Sequence, residues 1–398
     1  MTKDSALSCL VIGALPSSLV NFRGPLLKAM IAKGHKVFAA ANGPNSETEA
    51  ELRTMGVEYC PIRIARVGIN PLADVITFFD LIQLMRRVRP DTVLSYTIKP
   101  VIYGGLAAWF YGVRKIFSLI EGLGRAFMPW ESFSHALSSI IARILYRIGL
   151  LPSERIFFLN PDDLDQFVKG GYVPERKAVL LNGIGIDLAY YAKEQLHEFS
   201  CIRFLMITRL LKDKGVREFV EAARIMRSRY PNIEFVLAGP LDENPSSIKQ
   251  EELDLWQREG VVKYVGQVDD VRPLYRDCHI FVLPSFYREG TPRTTLEALS
   301  IGRSVITTDA PGCRETVTFT GGNSMLRSEE STKGLKIGRN GILVPVKNIE
   351  ALSAAMEFFI KHPEQIAIMG NEGRSYVERR YDVENVNAVI VREMGLTQ

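Results

Sequence analysis

The stretch Ile280-Phe-Val-Leu-Pro-Ser-Phe-Tyr-Arg-Glu289-Gly-Thr-Pro-Arg-Thr-Thr-Leu-Glu297-Ala-Leu-Ser300 reads as a strand, a turn and a helix in direct succession. Ile280 to Pro284 is an uninterrupted apolar run, the pattern of a strand covered on both faces. Gly290 and Pro292 interrupt it, and Leu296, Ala298 and Leu299 restart an apolar face. Ligands of open α/β sheets bind outside the carboxyl ends of strands, and anionic groups favour helix N-termini. Glu289 falls on the loop at such a position, and Glu297 lies about two turns into the helix. Carboxylates accept hydrogen bonds from paired hydroxyls, so the two acids suit recognition of a polyhydroxy ligand. The same spacing also fits a loop acid plus an early helix acid that favours the helix dipole.

Outward from this stretch, short apolar runs alternate with amphipathic segments, the sign of βαβ units and parallel sheets. In the first half, strands are expected at Leu10–Gly13, Lys36–Ala40, Thr92–Tyr96, Lys115–Leu119 and Arg155–Leu159. Helices are expected at Phe22–Lys33, Asn45–Met55, Leu72–Arg87, Val101–Tyr111 and Phe133–Ile148. The alternation resumes with the strand Phe204–Thr208, the helix Val216–Tyr230 and the strand Glu234–Ala238, and runs on to the helix Ile349–Lys361. A chain of 398 residues exceeds one ordinary core. The expectation is an α/β protein of two doubly wound, Rossmann-like domains facing across a cleft. The first spans residues 1–190 and the second 200–375, with the polar segment Tyr190–Cys201 as linker and the terminal segment 376–398 packing back onto the first. The polar, aperiodic segment Thr320–Asn340 reads as a long loop.

Composition narrows the function. The chain is 46% hydrophobic and 24% charged with a net charge of +4, an ordinary soluble balance. No basic tract with interleaved aromatics accompanies that charge, which argues against nucleic acid; a phosphate-bearing ligand or an anionic membrane surface suits it. The five cysteines are scattered and lack CxxC spacing, and no two histidines have metal-ligand spacing. No metal site is therefore expected, and a reducing cytoplasm fits. Leu7–Ile12 is too short for a signal sequence, and Val101–Val113 too short to span a bilayer.

Three further loops follow expected strands. Thr208-Arg209-Leu-Leu-Lys-Asp-Lys214-Gly215 joins a strand to a helix, and its cations and the helix start suit a phosphate group, although a solvated basic loop has the same composition. Gly13 opens the loop to Gly24 and permits close backbone approach, but no GxGxxG is present. In that loop Asn21 and Arg23 either face the cleft or serve as an N-cap and a surface charge. Glu121-Gly-Leu-Gly124 follows the strand Lys115–Leu119, where Glu121 points into the cleft or caps local backbone. Downstream, Phe127-Met-Pro-Trp130 with Arg125, Arg143 and Arg147 forms either a lipid-facing region or a buried helix with exposed arginines.

Taken in chain order, Arg209…Lys214-Gly215, Phe281-Val-Leu-Pro-Ser285, Glu289…Glu297, Asp309-Ala-Pro-Gly-Cys-Arg-Glu315 and Asn340-Gly-Ile-Leu-Val-Pro345 resemble the retaining GT-B glycosyltransferases of family 4. A narrower resemblance, to bacterial enzymes adding N-acetylgalactosamine to undecaprenyl-diphosphate-linked glycans, rests on Glu121-Gly-Leu-Gly124, Lys214-Gly-Val-Arg-Glu-Phe219, Asp242-Glu-Asn-Pro-Ser246 and Pro311-Gly-Cys313.

The resemblance implies a UDP-sugar donor, an N-acetylhexosamine as the transferred sugar, and a polyprenyl-diphosphate-linked saccharide acceptor in bacterial surface polysaccharide or glycan assembly. It implies no metal and no other cofactor, and a cytoplasmic enzyme in peripheral contact with the inner face of an anionic membrane. Arg209 and Lys214 would hold the donor diphosphate and stabilise its departure. Glu297 would hold the ribose hydroxyls, and Glu289 the donor-sugar hydroxyls beside the Gly290-Thr291-Pro292-Arg293 backbone. Gly266 and Val268 fall where the family holds the base, and Gly13 joins the donor-binding set. Glu121 stands where many members carry a His-Gly; it would contact acceptor or donor sugar, and is grouped with the catalytic candidates Glu289, Lys214 and Arg209. The extra loop Thr320–Asn340 could touch the acceptor. A nucleotide-sugar epimerase of the same fold is the alternative activity, and a catalytically silent sugar-nucleotide-binding protein a third.

Overall fold

The computed structural model describes residues 6–65, 68, 70–128, 133–196, 201–242, 244, 246–319 and 334–397. Two units emerge: Met1–Gly185 with Val383–Gln398, and Ile186–Asp382.

The first unit is built on β1 Ser8–Ile12, β2 Lys36–Asn42, β3 Glu58–Ile62, β4 Thr92–Tyr96, β5 Lys115–Ile120, β6 Arg155–Phe158 and β7 Ala178–Leu180. These strands form one sheet in the order β3-β2-β1-β4-β5-β6-β7, and every pairing is parallel. The connecting helices are α1 Pro16–Asn21, α2 Gly24–Ala32, α3 Ser46–Thr54, α4 Pro71–Val88, α5 Gly105–Tyr111, α6 Phe133–Leu150 and α7 Pro161–Lys169. A parallel sheet is covered on both faces, which is why Cys9 to Ile12 are fully buried. The α4, α5, α6 and α7 side chains pack on one face, while α2 and α3 pack on the other.

Local chemistry explains several boundaries. Asn70 and Asn160 cap α4 and α7 through their side chains, each followed by a proline at the first helical position. The expected helix Val101–Tyr111 opens with a π-helical turn, Pro100–Gly104, before α5. Its paired glycines are a packing device: a Cβ on Gly104 would lie 2.6 Å from Ser95 Oγ, and one on Gly105 would lie 2.7 Å from Gly149 O.

The second unit repeats the plan with β8 Ile202–Ile207, β9 Ile233–Ala238, β10 Lys263–Tyr264, β11 Ile280–Leu283, β12 Ser304–Thr308, β13 Lys336–Ile337 and β14 Gly341–Val344. The sheet order is β10-β9-β8-β11-β12-β14-β13; the edge strand β13 runs antiparallel to β14 and the other pairings in that order are parallel. Its helices are α8 Val216–Arg229, α9 Gln250–Arg258, α10 Arg272–Arg276, α11 Arg293–Ile301, α12 Ile349–Lys361 and α13 Glu364–Arg380. Among the parallel strands of each sheet the order reverses between β1 and β4 and between β8 and β11. That reversal opens the crevice in which doubly wound sheets hold ligands.

Three sequence expectations need correction. Tyr190–Leu196 belongs to the second unit rather than to a free linker: Tyr191 is buried in its core, and Arg303 donates to the carbonyls of Glu194 and Gln195. Residues 197–200 of that segment lie outside the described residues. The terminal segment leaves the second unit at Val383, not at residue 376, because the hydroxyls of Tyr376 and Tyr381 both donate to the Glu315 carbonyl. Beyond it, α14 Val383–Glu393 packs Val386, Ile390 and Val391 against Leu26, Leu27 and Met30 of the first unit. Finally, the expected loop Thr320–Asn340 ends as an edge strand, β13, with Asn340 buried and bonded to Thr316 and Thr318; residues 320–333 lie outside the described residues.

Candidate functional site

At the reversal point of the second sheet, the loops after β8 and β11 meet. Lys214 Nζ donates to Glu289 Oε1 at 2.5 Å, and Ser285 Oγ donates to the same oxygen at 2.9 Å. Both charged side chains are about nine-tenths buried, at 12% and 10% exposed. Lys214 Nζ also stands 5.0 Å over the Tyr287 ring. The Asp213 carbonyl ties the loops together by accepting from the Phe286 and Tyr287 amides.

Gly215 permits this approach. It adopts a φ of +78°, and a Cβ there would lie 2.1 Å from the Pro284 carbonyl oxygen. No side chain fits, so the basic loop and the start of α8 press against the end of β11. Gly312 does the same from the loop after β12, where a Cβ would lie 2.5 Å from the carbonyls of Glu289 and Gly290. The neighbouring Cys313 thiol is pushed up to about 12, first by burial and then by the nearby Glu289 charge.

Arg209 takes a different partner: its Nη1 lies 3.0 Å from Asp242 Oδ2. Residues 243 and 245 of the quoted Asp242–Ser246 motif lie outside the described residues. Gly266 and Val268 follow β10, and the Gly266 carbonyl accepts from the Gly239 amide at 2.8 Å. Gly290, Thr291 and Pro292 lead into α11, where Pro292 holds the N-cap position without a side-chain cap.

Glu297 is buried within α11 and has partners of its own. Tyr275 Oη donates to its Oε2 at 3.0 Å, and Arg293 Nε donates to its Oε1 at 2.9 Å. Burial raises its carboxyl pKa, while Arg293 and the hydroxyls of Tyr191 and Tyr275 pull the other way. A simple dipole acid on a solvated first turn would not be enclosed like this. Tyr191 and Tyr275 carry no sequence signal for this site, and the side-chain roles of Ser285 and Arg293, which the motifs contain only as backbone or strand end, emerge from the structure. An i,i+4 Arg293–Glu297 spacing was the available signal for one of them.

The candidates of the first unit gather at its own reversal point, between β1 and β4. Gly13 ends β1 beneath Tyr96, where a Cβ would lie 2.3 Å from Tyr96 Oη; the ring accounts for the glycine. Tyr96 Oη pairs with Ser18 Oγ at 2.8 Å, and the Arg23 guanidinium lies 4.7 Å over the same ring. Arg23, read as a possible surface charge, is 2% exposed and donates to Glu121 Oε1. Glu121 is thus held by an arginine. Its carboxyl pKa is raised by burial and lowered by Arg23, with burial the larger effect. Asn21 closes α1 rather than capping α2, whose N-cap is Arg23. Next to this cluster Thr97 adopts a φ of +66°, a left-handed conformation that a β-branched residue takes only under constraint.

At Phe127 the buried alternative holds rather than the lipid-facing one. It is buried among Tyr146, Phe167 and Tyr172, and Arg143 stacks on it while donating to the Ala126 carbonyl. Residues 129–132, including Trp130, lie outside the described residues. The histidines with clear partners are structural: the Leu7 amide donates to His35 Nδ1, and the Arg203 amide to His279 Nδ1. Among the described residues, no group of three or more His, Cys, Asp or Glu is arranged to hold a metal ion. No described helix is long and apolar enough to cross a membrane.

Two doubly wound units with a cation–carboxylate pair at a reversal point are the architecture of GT-B sugar-transfer enzymes, and comparison with known proteins agrees. The family model for glycosyl transferases group 1 matches residues 202–362. The chain is 30% identical over 313 residues to N,N'-diacetylbacillosaminyl-diphospho-undecaprenol alpha-1,3-N-acetylgalactosaminyltransferase of Campylobacter jejuni, covering 76% of this chain and 80% of that protein. It is 26% identical to UDP-Gal:alpha-D-GlcNAc-diphosphoundecaprenol alpha-1,3-galactosyltransferase of Escherichia coli, over 62% of this chain and 64% of that one. The crystal structure of Anabaena HepE in complex with UDP and glucose superposes with a TM-score of 0.72 at 15% identity, over 98% of this chain and 99% of that chain. The chain belongs to the glycosyl transferases group 1 family. It has the GT-B fold and is a hexosyltransferase.

Proposed function

We propose that this enzyme moves an N-acetylhexosamine from a UDP-sugar to a polyprenyl-diphosphate-linked saccharide, with retention of anomeric configuration, at the inner face of an anionic membrane in bacterial glycan assembly. The observation that carries the proposal is the buried Lys214–Glu289 pair at the reversal point of the second sheet. A sugar nucleotide offers each partner a substitute: phosphate oxygens for the ammonium, sugar hydroxyls for the carboxylate. The sequence relationship to the Campylobacter jejuni enzyme supports the lipid-linked acceptor.

In this scheme Lys214, Arg209 and the N-terminus of α8 bind the diphosphate and stabilise the charge that grows on it. Glu297 holds the ribose, Gly266 and Val268 flank the base, and the Gly290-Thr291-Pro292 turn lies against the sugar. The acceptor hydroxyl attacks the anomeric carbon on the face UDP leaves. The electrons of the breaking C–O bond pass to the β-phosphate oxygen, which takes the acceptor proton. Glu121, oriented by Arg23, accepts a hydrogen bond from a sugar hydroxyl. No metal and no nucleic acid enters the scheme.

The test is a UDP-release assay over a panel of UDP-sugars, with and without a polyprenyl-diphosphate saccharide and with and without EDTA. Acceptor-dependent release that survives EDTA, with an α-linked product by NMR from an α-linked donor, supports the proposal. Interconversion of the donor sugar without acceptor would replace it with the epimerase reading, which no observation on the structure favours.

A further inference from the structure

The first unit carries an apolar surface that its own core does not use. On α4, Leu72, Val75, Ile76 and Phe79 are exposed, at spacings of three, one and three residues. On α5, Trp109 and Phe110 are 65% and 71% exposed. On α6, Phe133, Leu137, Ile140, Ile144 and Ile148 are exposed at spacings of four, three, four and four. Such spacing draws one stripe along one side of a helix. Meanwhile Tyr146 and Leu150 fill the core from the opposite side of α6. A helix buried on one side should be polar on the other, yet α6 is apolar on both.

These stripes belong to neighbouring helices on one face of the sheet. Phe110 of α5 meets Phe78 of α4 edge to face at 6.1 Å, and α5 packs against both α4 and α6. Charge is one-sided across the layer. The only acids in the three helices are Asp74, buried against Lys99, and Asp80, paired with Arg63. Arg86 and Arg87 of α4, Arg114 just after α5, and Arg147 of α6 are exposed. Contiguous apolar surface of this kind marks a partner or a membrane.

We propose that the outer side of α4, α5 and α6 docks this enzyme on an anionic lipid bilayer, with the apolar stripes in the headgroup–acyl boundary and the arginines on lipid phosphates. Charge selects this occupant. A second copy paired through the same face about a two-fold axis would set arginine against arginine with no acid to compensate, whereas anionic lipid neutralises every one of them. The assignment deepens the membrane part of the proposed function by naming the surface; of the region read from sequence as either lipid-facing or buried, it keeps Arg147 and leaves out Phe127, which is buried. It stands on surface geometry, not on the identity of the acceptor.

The experiment is co-sedimentation of the full chain with phosphatidylcholine vesicles, with and without 30 mol% phosphatidylglycerol. Binding to the anionic vesicles, weakened by salt and reduced on the order of tenfold or more by the triple variant Trp109→Gln, Leu137→Gln and Ile144→Gln, supports the proposal. Failure of the wild type to bind either vesicle, or equal binding by the variant, overturns it. So does a wild-type dimer that the variant converts to monomer with no change in vesicle binding. Turnover with a short-chain, water-soluble acceptor separates the two readings. The variant is expected to keep that turnover, while loss of transfer in the wild type with vesicle binding intact would sink the acceptor assignment alone.

Discussion

Lys214 and Glu289, seventy-five residues apart in the chain, share a hydrogen bond of 2.5 Å at the point where the second sheet reverses its strand order. Neither loop could present its charge in this place alone. Gly215 lets the basic loop reach Pro284, and Asp213 accepts from the backbone of the acidic loop. The pair holds two opposite charges ready where a ligand bearing phosphates and hydroxyls would need both.

Lys214→Ala is expected to lower kcat by roughly 10²–10³, the usual effect of removing one preorganised group that stabilises developing charge. It also strands the Glu289 carboxylate, so stability should fall by about 3–5 kcal/mol. Glu289→Gln keeps an acceptor for Lys214 and Ser285 and should fold normally while losing most activity. UDP release and urea denaturation on both variants check this; unchanged turnover in Lys214→Ala would remove the phosphate role.

Gly215→Ala tests the geometry without touching a charge. Its added Cβ meets a backbone carbonyl at 2.1 Å in a left-handed conformation, so the loops must separate. A loss of about 1–3 kcal/mol is expected, together with a rise in donor KM as Lys214 moves. Full activity with unchanged denaturation would mean that this contact does not position Lys214.

Glu297→Ala should destabilise by about 1–3 kcal/mol, because the largely buried Arg293 guanidinium loses this carboxylate, while the Tyr275 hydroxyl is left with the Thr294 carbonyl. Glu297→Gln keeps an acceptor in place and should be nearly as stable as the wild type. The two variants should share a raised KM for the UDP-sugar, the effect of losing ribose recognition. Equal donor KM in wild type and Glu297→Gln would assign the residue to folding alone.

His279 supplies a pH dependence. Its buried ring accepts from the Arg203 amide, and burial, followed by the charges of Arg303 and Arg203, lowers its pKa from 6.5 to about 4. The unfolded state therefore binds the extra proton first as pH falls. The stability from the neutral ring is present above pH 6.5, declines below it, and is fully lost below about pH 4. Between pH 7 and 5 this amounts to about 2 kcal/mol. Denaturation at those two pH values should show a correspondingly smaller drop in His279→Asn than in the wild type.

Much of this molecule is legible in one dimension. The runs Cys9–Ile12 and Ile280–Leu283 read as strands of covered parallel sheets, since a half-exposed strand alternates apolar with polar residues and a run of four between turn signals is short for a helix. The order of the basic loop, the Glu289–Glu297 stretch and the Asp309–Glu315 loop carried the family. Elements announced by caps rather than by apolar period are the hardest to see in the sequence. Asn160-Pro161 marks α7 as plainly as Asn70-Pro71 marks α4, although no long apolar period accompanies it.

What needed three dimensions is which groups face one another. Chain order says that Lys214 and Glu289 each end a strand-to-loop segment, but only the pairing of β8 with β11 brings them together. Arg23 has the composition of a surface residue, yet it is buried because Tyr96 and Glu121 enclose its guanidinium. Glu297, twin of Glu289 in sequence, is turned into the core toward Tyr275. The stripe on α6 has the same residues whether it faces protein or solvent; Tyr146 and Leu150 fill the core instead, and the stripe is left outside. Apolar periodicity is local and survives in a linear string. Partnership between charges depends on strand order and on where a missing Cβ lets two loops touch, and these exist only after the chain has folded.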